Sequence, residues 1–215
     1  MLTAYSRGAQ HPVDAVMVLL HGLGADGHDF VDLVPEFSQS LNLKVLLPHA
    51  PVQPLTIAAG EPVTSWYDIL STGQKRVINQ EQLAHSVSRV HHIIQDQQLD
   101  ADTPLLIAGF SQGGAVALEC FSHLPVTFSG CLAMSTYLIN APTLSPENHP
   151  NAQTPVLMQH GIQDPVVPYA LGEQSAQRLQ ELGFHVNFES YAMQHQVCLE
   201  QLKSIQHWLH TLLTP

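Results

Sequence analysis

Leu105-Leu106-Ile107-Ala108-Gly109-Phe110-Ser111-Gln112-Gly113-Gly114-Ala115 is an apolar run that stops at a glycine, presents a serine and restarts among small residues. Leu105 to Gly109 reads as a buried strand, and Gln112 to Ser122 as a helix that follows it directly. The five residues at the junction form G-x-S-x-G in the strand-to-helix setting that this motif needs. A turn this sharp brings together side chains two residues either side of the serine. Gly109 and Gly113 remove them, which leaves Ser111 exposed above the sheet edge. The helix N-terminus places partial positive charge beside it. The competing reading is a glycine-rich turn whose serine merely caps the helix. The apolar strand before it, and Gly114 and Ala115 after it, favour the first.

Working outward, Val13 to Leu20, Leu43 to Leu47 (stopped by Pro48), Ser129 to Met134 and Val156 to His160 read as further strands, and the alternating stretch Phe184 to Tyr191 as a sixth. Near-continuous apolar runs of this length suit parallel strands covered on both faces. Amphipathic stretches separate them. From Asn79 to Gln98, Leu83, Val87, Val90 and Ile94 form one stripe. A helix over Glu173 to Leu182 is capped by Gly183, and the last helix carries Cys198, Leu202, Ile205, Leu209 and Leu212. The alternation predicts an α/β fold of the α/β-hydrolase type: a mostly parallel central sheet flanked by helices, without a large cap domain. Residues 1–215 form one domain in this reading, and 45% hydrophobic residues suffice for its core. The stretch 48–73, with Pro48, Pro51, Pro54 and Pro62, is too long for an ordinary connection and is expected to be a lid or binding loop.

Acidic residues outnumber basic ones 18 to 7, for a net charge of −11. Such a chain repels phosphate backbones and anionic headgroups, which argues against nucleic acid and against a polybasic membrane anchor. Met1 to Gln10 has no apolar run of the signal-peptide kind, and no transmembrane segment is expected because no stretch approaches about 18 apolar residues. Three cysteines (Cys120, Cys131, Cys198) cannot all pair, so a reduced, cytoplasmic setting is the simplest expectation. Fourteen histidines invite a metal reading. Without an HExxH or a Cys/His cluster, scattered surface imidazoles explain the count better, and no metal is expected.

A serine hydroxyl is a weak nucleophile until a base takes its proton, and that base needs an orienting acid. In this fold the chain order is Ser, Asp or Glu, then His. Asp164 is the only aspartate between Ser111 and the C-terminal histidines, in a loop after the fifth strand. Among the downstream histidines, His185 falls in a strand and His207 and His210 in the last helix, whereas His195 occupies a loop. The expected triad is therefore Ser111, Asp164 and His195. The oxyanion donors expected are the backbone N–H groups of Gln112, which follows the serine, and of Leu23, in His21-Gly22-Leu23-Gly24 after the first strand.

With these residues in place, the chain resembles the acyl-protein thioesterase/carboxylesterase family, the phospholipase/carboxylesterase group. His21-Gly22-Leu23-Gly24-Ala25-Asp26-Gly27-His28, His49-Ala50-Pro51, Ser65-Trp66-Tyr67-Asp68, Gly109 to Gly114 and His160 to Pro168 carry the resemblance over nearly the whole chain. It implies hydrolysis of acyl esters, lysophospholipids or protein S-acyl thioesters through an acyl-enzyme, without a cofactor. It also implies that Val166 and Tyr137 line an apolar acyl groove, with Trp66 at the lid as a substrate-binding support. One departure stands out: Gln194 replaces the glycine usual before the histidine, which would cost about 1 kcal/mol if φ were positive there. Two rivals remain in view. A dienelactone-hydrolase-like lactonase is disfavoured because its nucleophile is usually cysteine. A catalytically inactive receptor or scaffold is disfavoured because all three triad residues are present. Exposed apolar residues on the lid could also serve as a homodimer surface.

Overall fold

The computed structural model describes residues 1–9, 12–38, 41–72, 76–141 and 149–214. In chain order its strands are β1 (Leu2–Tyr5), β2 (Ala15–Leu20), β3 (Leu43–Leu47), β4 (Val52–Pro54), β5 (Pro62–Thr64), β6 (Ile69–Ser71), β7 (Val77–Ile78), β8 (Leu105–Phe110), β9 (Gly130–Met134), β10 (Val156–Gly161) and β11 (Val186–Tyr191). The α-helices are α1 (Val34–Ser38), α2 (Gln80–Gln95), α3 (Gln112–His123), α4 (Tyr169–Glu181) and α5 (Leu199–Leu213).

Seven strands form one sheet in the order β1-β3-β2-β8-β9-β10-β11. All its pairings are parallel except that of β1 with β3. The six strands expected from the sequence are the parallel ones. Alternate residues of β2, β3, β8, β9 and β10 feed two separate cores, whereas β11, at the sheet edge, gives Val186 and Phe188 to one of them. Val16, Val18 and Leu20 of β2 join Leu83 and Val90 of α2 and Phe121 of α3 on one face. Met17 and Leu19 join Phe30, Leu202, Ile205 and Leu209 on the other. Burial on both faces is what turns these inner strands into unbroken apolar runs.

Three elements differ from expectation. β1 pairs along one edge only and is half-buried, so its four residues carry little hydrophobic signal. α4 begins at Tyr169, directly after Pro168, earlier than the apolar stripe suggested. Within the supposedly irregular stretch 48–73, β4 pairs with β5, and β6 pairs with β7 beyond it. Pro48 and Pro51 precede β4, and Pro54 and Pro62 face each other where the turn of the hairpin begins, at the end of a two-stranded ladder in which no central strand needs their missing N–H.

The sheet also places the site. β2 and β8 are neighbours, with Leu20 opposite Gly109. The chain leaves β2 towards β3 and leaves β8 towards α3, so their loops part at a topological switch point, where α/β sheets bind ligands.

Candidate active site

Ser111 stands between β8 and α3 with φ 55° and ψ −121°. Such backbone costs about 1–3 kcal/mol and persists only when its surroundings enforce it. The enforcement is visible. A Cβ on Gly109 would lie 2.3 Å from the Gly113 carbonyl oxygen, and one on Gly113 would lie 2.3 Å from that of Leu20 and 2.4 Å from that of His21. The Ser111 N–H donates to Met134 O (2.9 Å), and its carbonyl accepts from Thr136 Oγ1 (2.7 Å) and Ala115 N (3.1 Å).

Two loops from the far half of the sheet reach the serine. After β10, Asp164 is buried and its Oδ1 accepts from the N–H groups of Val166 (2.8 Å) and Val167 (2.9 Å). Its Oδ2 lies 2.7 Å from His195 Nδ1, while His195 Nε2 lies 2.9 Å from Ser111 Oγ. Donation of Nδ1–H to the carboxylate leaves the Nε2 lone pair facing the hydroxyl. Thus Ser111, read from its motif, and Asp164 and His195, chosen by elimination, come together in one hydrogen-bonded line. Phe110 packs against the imidazole, with ring centroids 4.8 Å apart.

The His195 loop is held by backbone. Gln163 N–H donates to Met193 O (3.1 Å), and a Cβ on Gly161 would sit 2.4 Å from the carbonyl oxygens of Met193 and Gln194. Gln194 is absent from the residues with positive φ, so the strain foreseen for it does not arise.

Beneath Asp164, His160 Nε2 donates to Val167 O at 2.9 Å and lies 3.5 Å from Asp164 Oδ2. Burial lowers its pKa, against weaker opposing effects of the Val167 carbonyl and Asp164, so this imidazole favours its neutral form. Gly172 makes room for the ring: a Cβ there would be 2.3 Å from His160 Nδ1.

The N–H groups of Leu23 and Gln112 make no hydrogen bond to a described residue. Gln112 opens α3, where no preceding turn supplies a carbonyl. The His21 loop lies against the serine, since a Cβ on Gly22 would be 3.4 Å from Ser111 Cβ. That loop is braced through Trp66. The indole Nε1 donates to His21 O (2.8 Å), and the Gln112 side chain accepts from Trp66 N (2.8 Å) and donates to Tyr67 O (2.7 Å). His21 itself bonds Gly22 O through Nδ1 (2.8 Å) and Ala50 N–H through Nε2 (3.0 Å); burial lowers its pKa as well.

Two clefts meet at Ser111 and Leu23. One, of about 430 Å³, is bounded by Phe30, Leu33, Phe110, Val197 and His195. The other, of about 340 Å³, lies under the hairpins and is bounded by Tyr67, Ile69, Thr72, Arg76 and Val166. Of the three side chains expected at a substrate groove, only Val166 borders a cleft that reaches Ser111. Trp66 is wholly buried by its hydrogen bonds and its packing on His21. Tyr137 is buried behind Tyr67, with their hydroxyls 3.0 Å apart. Sequence reasoning also missed the supports: Thr136, His160, Arg76 and the Gln112 side chain. Gln112 and His160 fall within the quoted motifs, but the bonds made by these four side chains could not be read there, because their partners are about 7 to 90 positions away.

The histidine count acquires one local meaning. Among the described residues, Asp26, His28 and His49 offer ligand atoms within 4.8 Å of one another. These three residues already hold the turn: Asp26 Oδ1 accepts from His28 N (2.7 Å) and pairs with His28 Nδ1 (2.8 Å), and His49 Nδ1 accepts from Gly27 N–H (3.2 Å).

A hydroxyl, an imidazole and a buried carboxylate in line, with two unpaired N–H groups alongside, can transfer an acyl group to water. Sheet, elbow and loops together define an α/β-hydrolase. The family model of phospholipases and carboxylesterases matches residues 7–213. Acyl-protein thioesterase 1 of Neurospora crassa is 34% identical over 91% of this chain and 85% of its own length. Its counterpart in Yarrowia lipolytica is 33% identical over 91% and 90%. The crystal structure of Zea mays acyl-protein thioesterase 2 superposes with a TM-score of 0.87 at 30% identity, covering 99% of both chains. Arabidopsis thaliana SOBER1 gives 0.82 at 29%, over 93% of this chain and 99% of that one. The chain belongs to the phospholipase/carboxylesterase family.

Proposed function

We propose that the protein hydrolyses carboxylic esters and thioesters through an acyl-enzyme on Ser111. The observation that carries this reading is His195 bridging Asp164 and Ser111 at 2.7 and 2.9 Å. His195 Nε2 takes the serine proton as Oγ attacks the acyl carbonyl, and Asp164 holds the imidazole in that tautomer. The N–H groups of Leu23 and Gln112 receive the oxyanion. Each such donor is worth roughly 3–4 kcal/mol in the transition state. His195 then protonates the leaving alcohol or thiol, and water repeats the attack to release the acid. These steps use side chains, backbone N–H groups and water. Relatives named acyl-protein thioesterases support thioesters alongside oxygen esters.

The proposed chemistry gives the substrate a direction. A leaving group must receive its proton from His195, so it lies in the cleft that His195 borders, beside Phe110 and Val197. The acyl group then points the other way, into the cleft under the hairpins. With every member of the triad present, a receptor or scaffold role is not favoured. The test is hydrolysis of 4-nitrophenyl esters from acetate to palmitate by wild type and Ser111→Ala. Activity confined to the wild type supports the proposal. Folded wild type that is inert at every chain length sinks it.

A further inference from the structure

The cleft assigned to the acyl group is not uniformly apolar. Ile57, Ile69 and Val166 line it, but so does Arg76, with Thr72 and Tyr67 nearby. Arg76 is one of only seven Lys and Arg residues in a chain of net charge −11. Its guanidinium is tied down on two sides. Nη2 donates to the Val166 carbonyl, and the guanidinium carbon lies 5.0 Å from the Tyr137 ring centroid. Among the described residues it has no carboxylate partner.

A latch between hairpin and acid loop would need one donor, and the guanidinium has five. The Val166 carbonyl takes one N–H and the Tyr137 ring holds the guanidinium carbon over its face, which leaves further N–H groups for an acceptor in the cleft. The planar fork suits a carboxylate, and held in place it loses less freedom on binding. A purely hydrocarbon acyl chain offers such a group nothing and leaves it facing apolar surface.

We propose that this cleft accepts acyl groups that end in a carboxylate, with Arg76 as the receptor for the anion. The substrates would be half-esters or half-thioesters of dicarboxylic acids, cleaved at the end away from Arg76. This rests on the hydrolase reading above and on its assignment of the acyl side.

The experiment compares 4-nitrophenyl half-esters of adipic and pimelic acid with the same compounds capped as neutral methyl esters, in wild type, Arg76→Gln and Arg76→Lys. The readout is the ratio of kcat/KM for charged over capped substrate within each protein, so loss of a structural latch, which affects both substrates, cancels. Wild type should favour the charged form by about tenfold, the scale of one charge-assisted hydrogen bond. The ratio should fall to one or below in Arg76→Gln and be partly kept in Arg76→Lys. If Arg76→Gln does not fold, the wild-type preference must still shrink as salt screens the pair. A wild-type ratio at or below one overturns the proposal, as does an equal ratio in Arg76→Gln, provided 4-nitrophenyl butyrate is cleaved. Failure to cleave butyrate, with no labelling by a fluorophosphonate, instead removes the hydrolase reading and this inference with it.

Discussion

Replacing Gly113 by alanine adds one methyl group at the point where the nucleophile turn meets the end of β2. That methyl would lie 2.3 Å from Leu20 O and 2.4 Å from His21 O, both backbone atoms. Heavy atoms in such a contact need about 3.0 Å, so α3 and the His21 loop must separate by roughly 0.7 Å. Overpacking of this kind costs about 1–3 kcal/mol. In a chain of this size the melting temperature should fall by roughly 3–10 °C. The same displacement moves the Leu23 N–H relative to Ser111, and misplacement approaching 1 Å can cost about a hundredfold in rate. Circular dichroism melts and kcat on 4-nitrophenyl butyrate measure the two effects. Gly114→Ala is the internal comparison. There the methyl meets chiefly the Thr136 side chain at 2.8 and 2.9 Å, and both effects should be smaller. A Gly113→Ala protein with unchanged melting temperature and kcat would refute the account of how the elbow is enforced.

Three further outcomes follow from the same geometry. Asp164→Asn removes the acceptor that fixes the His195 tautomer while keeping the shape. The activity should fall about 10⁴-fold with little change in stability, as measured by kcat/KM and a thermal melt. Gln112→Leu preserves the backbone donor but strands Trp66 N–H and Tyr67 O; stability should drop by about 2–4 kcal/mol in urea denaturation, and proteolysis should begin within residues 51–72. Burial holds the folded pKa values of His21 and His160 below the ordinary imidazole value of 6.5. The unfolded chain therefore binds more protons as pH falls through about 6.5. The contribution of these residues to stability is complete above that value and is lost below it. An NMR titration should place both imidazole pKa values below 6.5, and a His160 ring that protonates above that value would contradict the burial argument.

The inner parallel strands were legible because burial on both faces writes itself as unbroken apolar runs, the edge strand β11 because it alternates, and the elbow because two glycines are needed where backbone meets backbone. Ser111, Asp164 and His195 could be chosen by order and elimination because each occupies a loop at the same edge of the sheet. The two hairpins escaped notice since their strands are three residues or fewer and the first pair, β4 and β5, carries prolines. The groove residues were read less well. Trp66 and Tyr137 are aromatic side chains near the site in sequence motifs, but only packing reveals that one braces the His21 loop and the other lies behind Tyr67. Arg76 carried no signal at all, because its partners Val166 and Tyr137 are distant in the chain.

Activation of Ser111 by His195 and Asp164 can be read from intact-protein and peptide mass spectrometry after reaction with a fluorophosphonate. A single adduct on Ser111 is expected, absent in Ser111→Ala and formed far more slowly in His195→Gln and Asp164→Asn. Labelling on another residue, or an unchanged labelling rate in the His195 and Asp164 variants, would contradict it.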